Sequence, residues 1–122
     1  MNTPKILAEL HQKYPNKTIV CLPHENPSEI ICEIEPASDH PERSTAMAIV
    51  GKSAAHYHKI CTEVYEVVKG TLSVYIGEEK HILEVGDSIT IKPGEVHSVE
   101  GDETWYLTYG NPGWTPQDHI LV

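Results

Sequence analysis

The chain has 122 residues, of which 39% are hydrophobic and 22% charged, and this profile fits one folded domain over residues 1–122. Its formal net charge of −9 argues against nucleic acid, whose phosphates attract Lys and Arg, and against an anionic membrane surface. No run approaches the roughly 18 apolar residues that a membrane-spanning helix needs. The first residues lack the pattern of a secretory signal, so a cytoplasmic protein is expected.

The N-terminal segment predicts a short helix over about residues 4–13, where Ile6 and Leu10 recur at helical spacing. Thr3 is the expected N-cap, and Pro4 suits the first helical position. Beyond this helix the pattern changes to short β-branched and alternating runs, which are typical of strands. Strands are expected at residues 18–22, 29–35, 45–51, 63–69, 71–76, 81–85, 88–91, 97–99, 105–109 and 120–122.

Glycines punctuate the second half of the chain at intervals of 7 to 9 residues. They are Gly70, Gly77, Gly86, Gly94, Gly101 and Gly110. Short strands with turn signals at that interval indicate a β-sandwich or barrel, and the lack of long helices between them disfavours a parallel α/β sheet. The sequence therefore predicts an all-β domain with a short N-terminal helix.

Four polar residues between positions 56 and 97 have a spacing that suits a metal ion. His56 and His58 are two apart, and such residues of a strand point to the same side, about 7 Å apart in an extended chain. A turn after His58 could return Glu63 on the adjoining strand and add a carboxylate oxygen. His97 follows a turn at residues 93–94 and could supply a third imidazole if the sheet closes on itself.

These two segments, residues 51–70 and 86–101, resemble the paired motifs of the cupin superfamily. The first family motif is His-x-His, three or four residues, Glu, six residues and Gly, and the chain matches it at His56, His58, Glu63 and Gly70. In the second motif, matches fall at Gly86, Gly94 and His97, whereas Lys92 replaces a usual proline and Gly101 replaces a later asparagine.

The resemblance implies a double-stranded β-helix, or jelly-roll, barrel that holds one divalent metal ion. The implied ligands are His56, His58, Glu63 and His97. Such a set suits Mn, Fe, Co, Ni, Cu or Zn, and leaves two positions of an octahedral ion open for a small-molecule ligand or substrate. The alternative is a barrel whose histidines pack without an ion, although burying such polar groups unpaired is costly.

Similar small cupins include sugar and sugar-acid isomerases and lyases. The resemblance therefore implies a metal-dependent enzyme that acts on a sugar, a sugar acid or a hydroxy acid. Two alternatives stay open: an iron-dependent dioxygenase, and a non-catalytic protein that binds or senses a small ligand. Arg43 is the only arginine, so the chain offers no obvious clamp for a phosphorylated substrate.

Two residues are candidate catalytic acids or bases. Tyr65 shares the parity of Glu63 along its strand, and His40 lies in a polar loop before the metal-binding segment. Packing in the barrel and exposure on the surface are the respective alternatives. The remaining histidines are expected at the surface: His11, His24, His81 and His119.

The three cysteines show no Cys-x-x-Cys pair, and Cys61 is interpreted as a small buried residue. A small barrel also exposes sheet edges that must be covered or paired. Residues 18–22 and 29–34 are candidates to meet across a two-fold axis, and cupins of this size are commonly dimeric. A homodimer is therefore expected.

Overall fold

Ten antiparallel strands form one sheet that curls on itself, and one α-helix packs against the outside of this sheet in the computed structural model, which describes residues 1–122. Helix α1 spans Thr3–Lys13. Strands β1 to β10 span, in order, Thr18–Leu22, Glu29–Glu35, Ser44–Lys52, His56–Tyr57, Thr62–Lys69, Leu72–Ile76, Glu79–Leu83, Ser88–Ile91, His97–Asn111 and Ile120–Leu121. The predicted all-β fold with a short N-terminal helix is confirmed.

Helix α1 begins slightly earlier than the sequence predicts. Asn2, not Thr3, is the N-cap, and its side chain accepts a hydrogen bond from the Lys5 N–H at 3.3 Å. Ile6 and Leu10 are buried against the sheet, and burial of each contributes roughly 2 kcal/mol. The helix has 11 residues, and no helix of the protein combines the length and the apolar character needed to cross a membrane.

The observed strands differ from the predicted ones mainly at β7 and β9, and the two-residue strand β4 was not predicted. Strand β7 lies two residues earlier than expected. The expected strands at 97–99 and 105–109 are one 15-residue strand, β9, which changes neighbours along its length. Near His97 it pairs with β4 and β6, and over its second half it pairs with β3 and β5. This strand therefore connects the parts of the sheet that carry the predicted metal ligands.

Strand β9 is irregular near its middle, and this irregularity explains the glycine at position 101. The register against β3 shifts between Val50 and Lys52, and Glu103 adopts a positive φ of 50°. The side chain of Thr104 lies so close to Gly101 that a Cβ there would collide with it. The departure from the cupin pattern at this position therefore has a local steric cause.

Hydrophobic residues form two cores, one on each face of the sheet. The core inside the barrel contains Ala48, Val50, Tyr65, Val67, Leu72, Val74, Leu83, Ile91, Val99 and Tyr106. The second core lies outside the barrel under α1 and contains Ile6, Leu10, Ile30, Cys32, Met47, Ile49 and Trp105. Because Ile30 and Cys32 of β2 face the helix, the alternate residues Glu29, Ile31 and Glu33 face the barrel interior.

Candidate metal centre

Three imidazoles and one carboxylate converge inside the barrel. The side chains of His56, His58, Glu63 and His97 are buried, and their ligand atoms all lie within 4.8 Å of one another. His56 pairs directly with His97 across β4 and β9. Glu63 lies on β5, which pairs with β8 and β9 and not with β4, so it does not return on the strand adjoining His56 as expected.

Backbone carbonyl groups fix the orientation of all three imidazoles. The Nδ1–H groups of His56, His58 and His97 donate to the carbonyl oxygens of Ala54 at 2.9 Å, Asp118 at 2.8 Å and Glu95 at 2.9 Å, respectively. A carbonyl oxygen can only accept, so each Nδ1 carries a proton and each neutral ring keeps its free lone pair on Nε2. Such bonds hold metal-ligating histidines in one tautomer and one direction.

The buried nitrogens of this cluster fit a bound metal ion. The Nε2 atoms of His58 and His97 are buried and have no hydrogen-bond partner. They lie 2.9 Å and 3.5 Å from Glu63 Oε1, but without the alignment of a hydrogen bond. An unsatisfied buried polar group costs about 1–3 kcal/mol, and an ion that accepts these lone pairs removes that cost. Three imidazole nitrogens and one carboxylate oxygen are a donor set that first-row divalent ions accept.

The pKa values of the predicted ligands are shifted in different directions. Burial lowers the pKa of His56 to about 4, so this ring is neutral near pH 7. Burial also lowers the pKa of His58, but the adjacent Glu63 carboxylate outweighs that effect, and the pKa lies above its usual value. Burial raises the pKa of Glu63, yet contacts with His58 and His97 outweigh it and hold the pKa far below the usual range. In the metal-free protein, the Glu63 carboxylate therefore favours the protonated form of His58, and a metal ion bound at Nε2 would take the place of that proton.

Tyr65 lies in the cavity beside the predicted ligands. Its hydroxyl donates to Glu63 Oε1 at 2.9 Å. Burial and the neighbouring charge of Glu63 raise the pKa of Tyr65 well above its usual value. The phenol is therefore a hydrogen-bond donor near neutral pH and is unsuited to act as a base there. A catalytic role for Tyr65 stays a prediction.

His40 is held at the mouth of the barrel. Its Nδ1–H donates to the carbonyl oxygen of Arg43 at 2.7 Å, and its Nε2 lies 3.2 Å from Glu35 Oε2. The bond to Arg43 is the main effect that raises the pKa of His40. Glu35 lines the cavity, whereas His40 does not. Its catalytic role also stays a prediction.

Cys61 lies close to the cluster in sequence but does not belong to it. The residue is 1% exposed, and burial, followed by the charge of Glu63, raises the pKa of its thiol to about 12. The thiol is therefore protonated and a poor nucleophile or ligand. Its burial is as predicted.

Sequence reasoning missed two residues that face the cavity. Glu29 is buried on β2, and burial together with the charge of Glu63 raises its pKa to about 7. His119, which was expected at the surface, stacks on His56 with ring centroids 4.0 Å apart and 17° between the planes. The Nδ1 of His119 is buried without a hydrogen-bond partner. The hydrophobic alternation of β2 would place Glu29 in solvent, and no sequence pattern indicates His119.

The cluster opens into a cavity that continues into a groove. The inner cavity encloses about 60 Å³, and the residues that surround the cluster there include Glu29, Tyr65, Trp114 and His119. The adjoining groove has a volume of about 630 Å³ and is lined in part by Val20, Leu22, Pro116 and Leu121. Five residues line both: Glu29, Ile31, Glu33, Trp114 and His119. A small molecule can therefore reach the cluster from solvent.

A comparison of the sequence with known protein families identifies the family to which this chain belongs. The cupin domain family matches residues 45–108, which include all four predicted ligands and more than half of the chain. The chain therefore belongs to the cupin domain family, as its two motifs indicated. A comparison with curated proteins gives no significant match.

Solved structures of other cupin-like proteins share the fold at low sequence identity. Pac13 from Streptomyces, described as a nucleoside dehydratase, is 15% identical with a TM-score of 0.76, covering 89% of this chain and 87% of Pac13. KdgF from Halomonas sp. is 16% identical with a TM-score of 0.66, covering 74% and 85%. A protein from Planctomyces limnophilus is 19% identical with a TM-score of 0.75, covering 88% and 92%. These likenesses support the jelly-roll barrel.

Proposed function

We propose that this chain is a metal-dependent enzyme, of the isomerase or lyase type, that acts on a small oxygen-rich molecule such as a sugar, sugar acid or hydroxy acid. One observation carries the proposal. Three imidazoles, each fixed through Nδ1 by a backbone carbonyl, bring ligand nitrogens within 4.8 Å of the Glu63 carboxylate in a cavity that opens to solvent. A closed structural site would have no need of this opening.

His56, His58, Glu63 and His97 would hold the ion. A divalent ion held there supplies Lewis-acid polarisation of a substrate oxygen. Tyr65 keeps the Glu63 carboxylate in one orientation through its hydrogen bond. The barrel wall behind these residues is apolar, which excludes water from the inner end of the cavity.

Glu29 is the residue best suited to move a proton. Isomerisation through an enediolate, and elimination next to a carbonyl group, both begin with removal of a proton from the carbon beside the polarised carbonyl. A base for that step works best with a pKa near the operating pH, and the pKa of Glu29 is about 7. The carboxyl is buried and lines the same cavity as Glu63 and Tyr65. Glu29 thus replaces Tyr65 and His40 as the proposed base.

Two of the solved structures are consistent with this class of reaction. Pac13 is described as a dehydratase, and dehydration is an elimination of the lyase type. Pac13 variants have also been solved with uridine, an uncharged molecule rich in hydroxyl groups. At 15% identity the similarity shows a shared fold, so the Pac13 structures provide an analogy and do not identify the substrate of this chain.

The proposal is tested by proton exchange in heavy water. Metal-loaded protein is incubated with a panel of sugars, sugar acids and hydroxy acids, and loss of carbon-bound protons is followed by NMR. We expect metal-dependent exchange in at least one compound. Glu29→Gln should reduce the rate by at least about a hundredfold without loss of metal, and Glu78→Gln, on an exposed turn, should leave it unchanged. Absence of exchange across the panel would contradict the proposal.

We also propose a cytoplasmic homodimer. Strand β1 lies at the edge of the sheet and pairs only with β2, so its other edge is free to pair with a second copy. The outer face of β2 is already covered by α1, so face-to-face packing through residues 29–34 is disfavoured. A β1-to-β1 contact is therefore the preferred arrangement.

A further inference from the structure

We propose that the cavity selects an uncharged polyhydroxy substrate and disfavours carboxylates and phosphates. This inference rests on the proposed function and narrows its substrate class. The inner face of β2 supplies three carboxylates to the cavity, from Glu29, Glu33 and Glu35. No Lys or Arg lines the inner cavity, and Lys52 is the only one that lines the adjoining groove.

The charge balance of the cavity remains negative with a metal ion in place. Glu33, Glu35 and Glu63 bring three carboxylates against the two positive charges of a divalent ion, and Glu29 adds a fourth when it is ionised. Glu35 is paired with His40, but Glu33 has no cationic partner within 4.0 Å. A substrate anion would therefore approach uncompensated like charges in a partly desolvated space.

The groove constrains the part of the substrate that lies outside the inner cavity. The inner cavity of about 60 Å³ holds about four water-sized groups, which is enough for the reacting end of a molecule and not for a whole sugar with a substituent. The rest must extend along the groove, where Val20, Leu22 and Leu121 present apolar surface. A neutral sugar with an uncharged, partly apolar substituent matches both spaces.

Calorimetry with matched probes tests this substrate class. Metal-loaded protein is titrated with methyl glucoside, phenyl glucoside and glucuronate. We expect phenyl glucoside to bind most tightly, and glucuronate to bind at least about tenfold more weakly than methyl glucoside. Glu33→Gln should reduce the difference in affinity between methyl glucoside and glucuronate, whereas Glu78→Gln should leave that difference unchanged.

The proposed selection against anions would be overturned if glucuronate bound as tightly as methyl glucoside. It would also be overturned if Glu33→Gln left the difference in affinity between these two probes unchanged. Failure of all three probes to bind would overturn the substrate class. Neither result decides the proposed function, because proton exchange that depends on metal and on Glu29 is measured separately.

A different observation carries a second inference: we infer that Asp118 is a positioning residue for the metal ligand His58. The backbone carbonyl of Asp118 accepts the His58 Nδ1–H at 2.8 Å. Its carboxylate accepts the N–H groups of Lys59 at 2.7 Å and Cys61 at 2.9 Å. One residue of the C-terminal segment thus holds both the ring of His58 and the backbone that follows it.

Strand β10, which follows Asp118, makes a second set of contacts with the segment that carries His56 and His58. In β10, Ile120 pairs with Tyr57 and Leu121 pairs with His56. The short 3-10 helix Pro116–Asp118 precedes this strand, and its Pro116 lines the groove. Loss of the Asp118 carboxylate should free the backbone after His58 and loosen the direction of its Nε2. Partners of this kind typically change metal affinity by about 10- to 100-fold.

The test compares Asp118→Asn with Asp87→Asn. Asp87 makes a similar carboxylate-to-backbone bond, to the Glu84 N–H at 2.9 Å, in a turn that contributes no predicted ligand. Asp118→Asn should weaken Co²⁺ binding by at least about tenfold and alter the visible spectrum of the bound Co²⁺. Asp87→Asn should leave both unchanged, whatever it does to the melting temperature.

A purely structural role for Asp118 would lower the melting temperature and leave the Co²⁺ affinity and spectrum as in the wild type, which would overturn the inference. Asn retains one oxygen and the volume of the side chain, so the folded protein can be assayed. Failure of the wild type itself to bind Co²⁺ would instead overturn the proposed metal site.

Discussion

Replacing Glu29 by Gln should stabilise the metal-free protein at alkaline pH. The pKa of Glu29 is raised from 4.5 to about 7, first by burial and then by the charge of Glu63. The folded state therefore holds this proton more tightly than the unfolded state. That stabilisation is complete below about pH 4.5 and is lost as the pH rises through about 7. The difference between 7 and 4.5, at 1.36 kcal/mol per pKa unit, corresponds to about 3 kcal/mol.

Unfolding by urea and by heat, in the presence of a chelator, measures this difference. Gln cannot ionise, so the Glu29→Gln variant should exceed the wild type by less than about 1 kcal/mol at pH 5 and by about 3 kcal/mol at pH 8. With an unfolding entropy of about 2.1 cal/mol/K per residue over 122 residues, the latter is about 12 °C in melting temperature.

The matched control is Glu78→Gln, because that carboxyl is exposed and pays no burial penalty. Its stability difference from the wild type should not widen with pH. The reasoning about Glu29 would be refuted by a difference that is independent of pH, or by one that shrinks between pH 5 and pH 8.

Three further predictions follow from the site and the sheet edge. Because the pKa of His58 is raised above 6.5, a proton competes with the metal ion for this ring near neutral pH. Metal affinity should therefore increase with pH up to that raised pKa and level off above it, and the binding enthalpy should vary with the ionisation heat of the buffer; a buffer-independent enthalpy would contradict this. Tyr65→Phe removes the hydrogen bond to Glu63 and should weaken metal binding by about tenfold while the barrel folds; unchanged affinity would refute that role. Light scattering should give twice the chain mass of 13.6 kDa, and a monomer mass at micromolar concentration would count against the dimer.

The four predicted ligands could be identified because their spacing matches the two cupin motifs. His56 and His58 are related by the two-residue period of an extended chain, and the motif spacing identified Glu63 and His97 as their companions. The same spacing did not reveal which strands adjoin. Strand β9 is long and shifts register against β3 between Glu100 and Thr104, and it brings His97 to His56 at one end and pairs with β5 at the other. Long-range pairing of this kind has no local signature in the sequence.

The inner face of β2 could not be assigned from hydrophobicity. Its alternation would place Ile30 and Cys32 in the core and Glu29 and Glu33 in solvent. Both apolar residues are indeed buried, but in the second core under α1, outside the barrel. The presence of a core on each face of the sheet reverses the usual rule, and the glutamates line the cavity as a result.

The position of His119 depends on the path of the C-terminal segment. The segment returns across the open side of the barrel because the Asp118 carboxylate binds backbone N–H groups of residues 59 to 61 and β10 pairs with β4. These contacts join residues almost 60 positions apart. Neither the residue type nor the spacing of His119 distinguishes it from the other histidines.

Metal analysis of protein purified without an affinity tag tests the central claim most directly. The wild type and the His56→Ala/His58→Ala variant are compared by elemental analysis, with circular dichroism as the check on folding. The account predicts about one equivalent of a first-row divalent ion in the wild type and almost none in the folded double variant. A full equivalent of metal retained by the double variant would contradict the site.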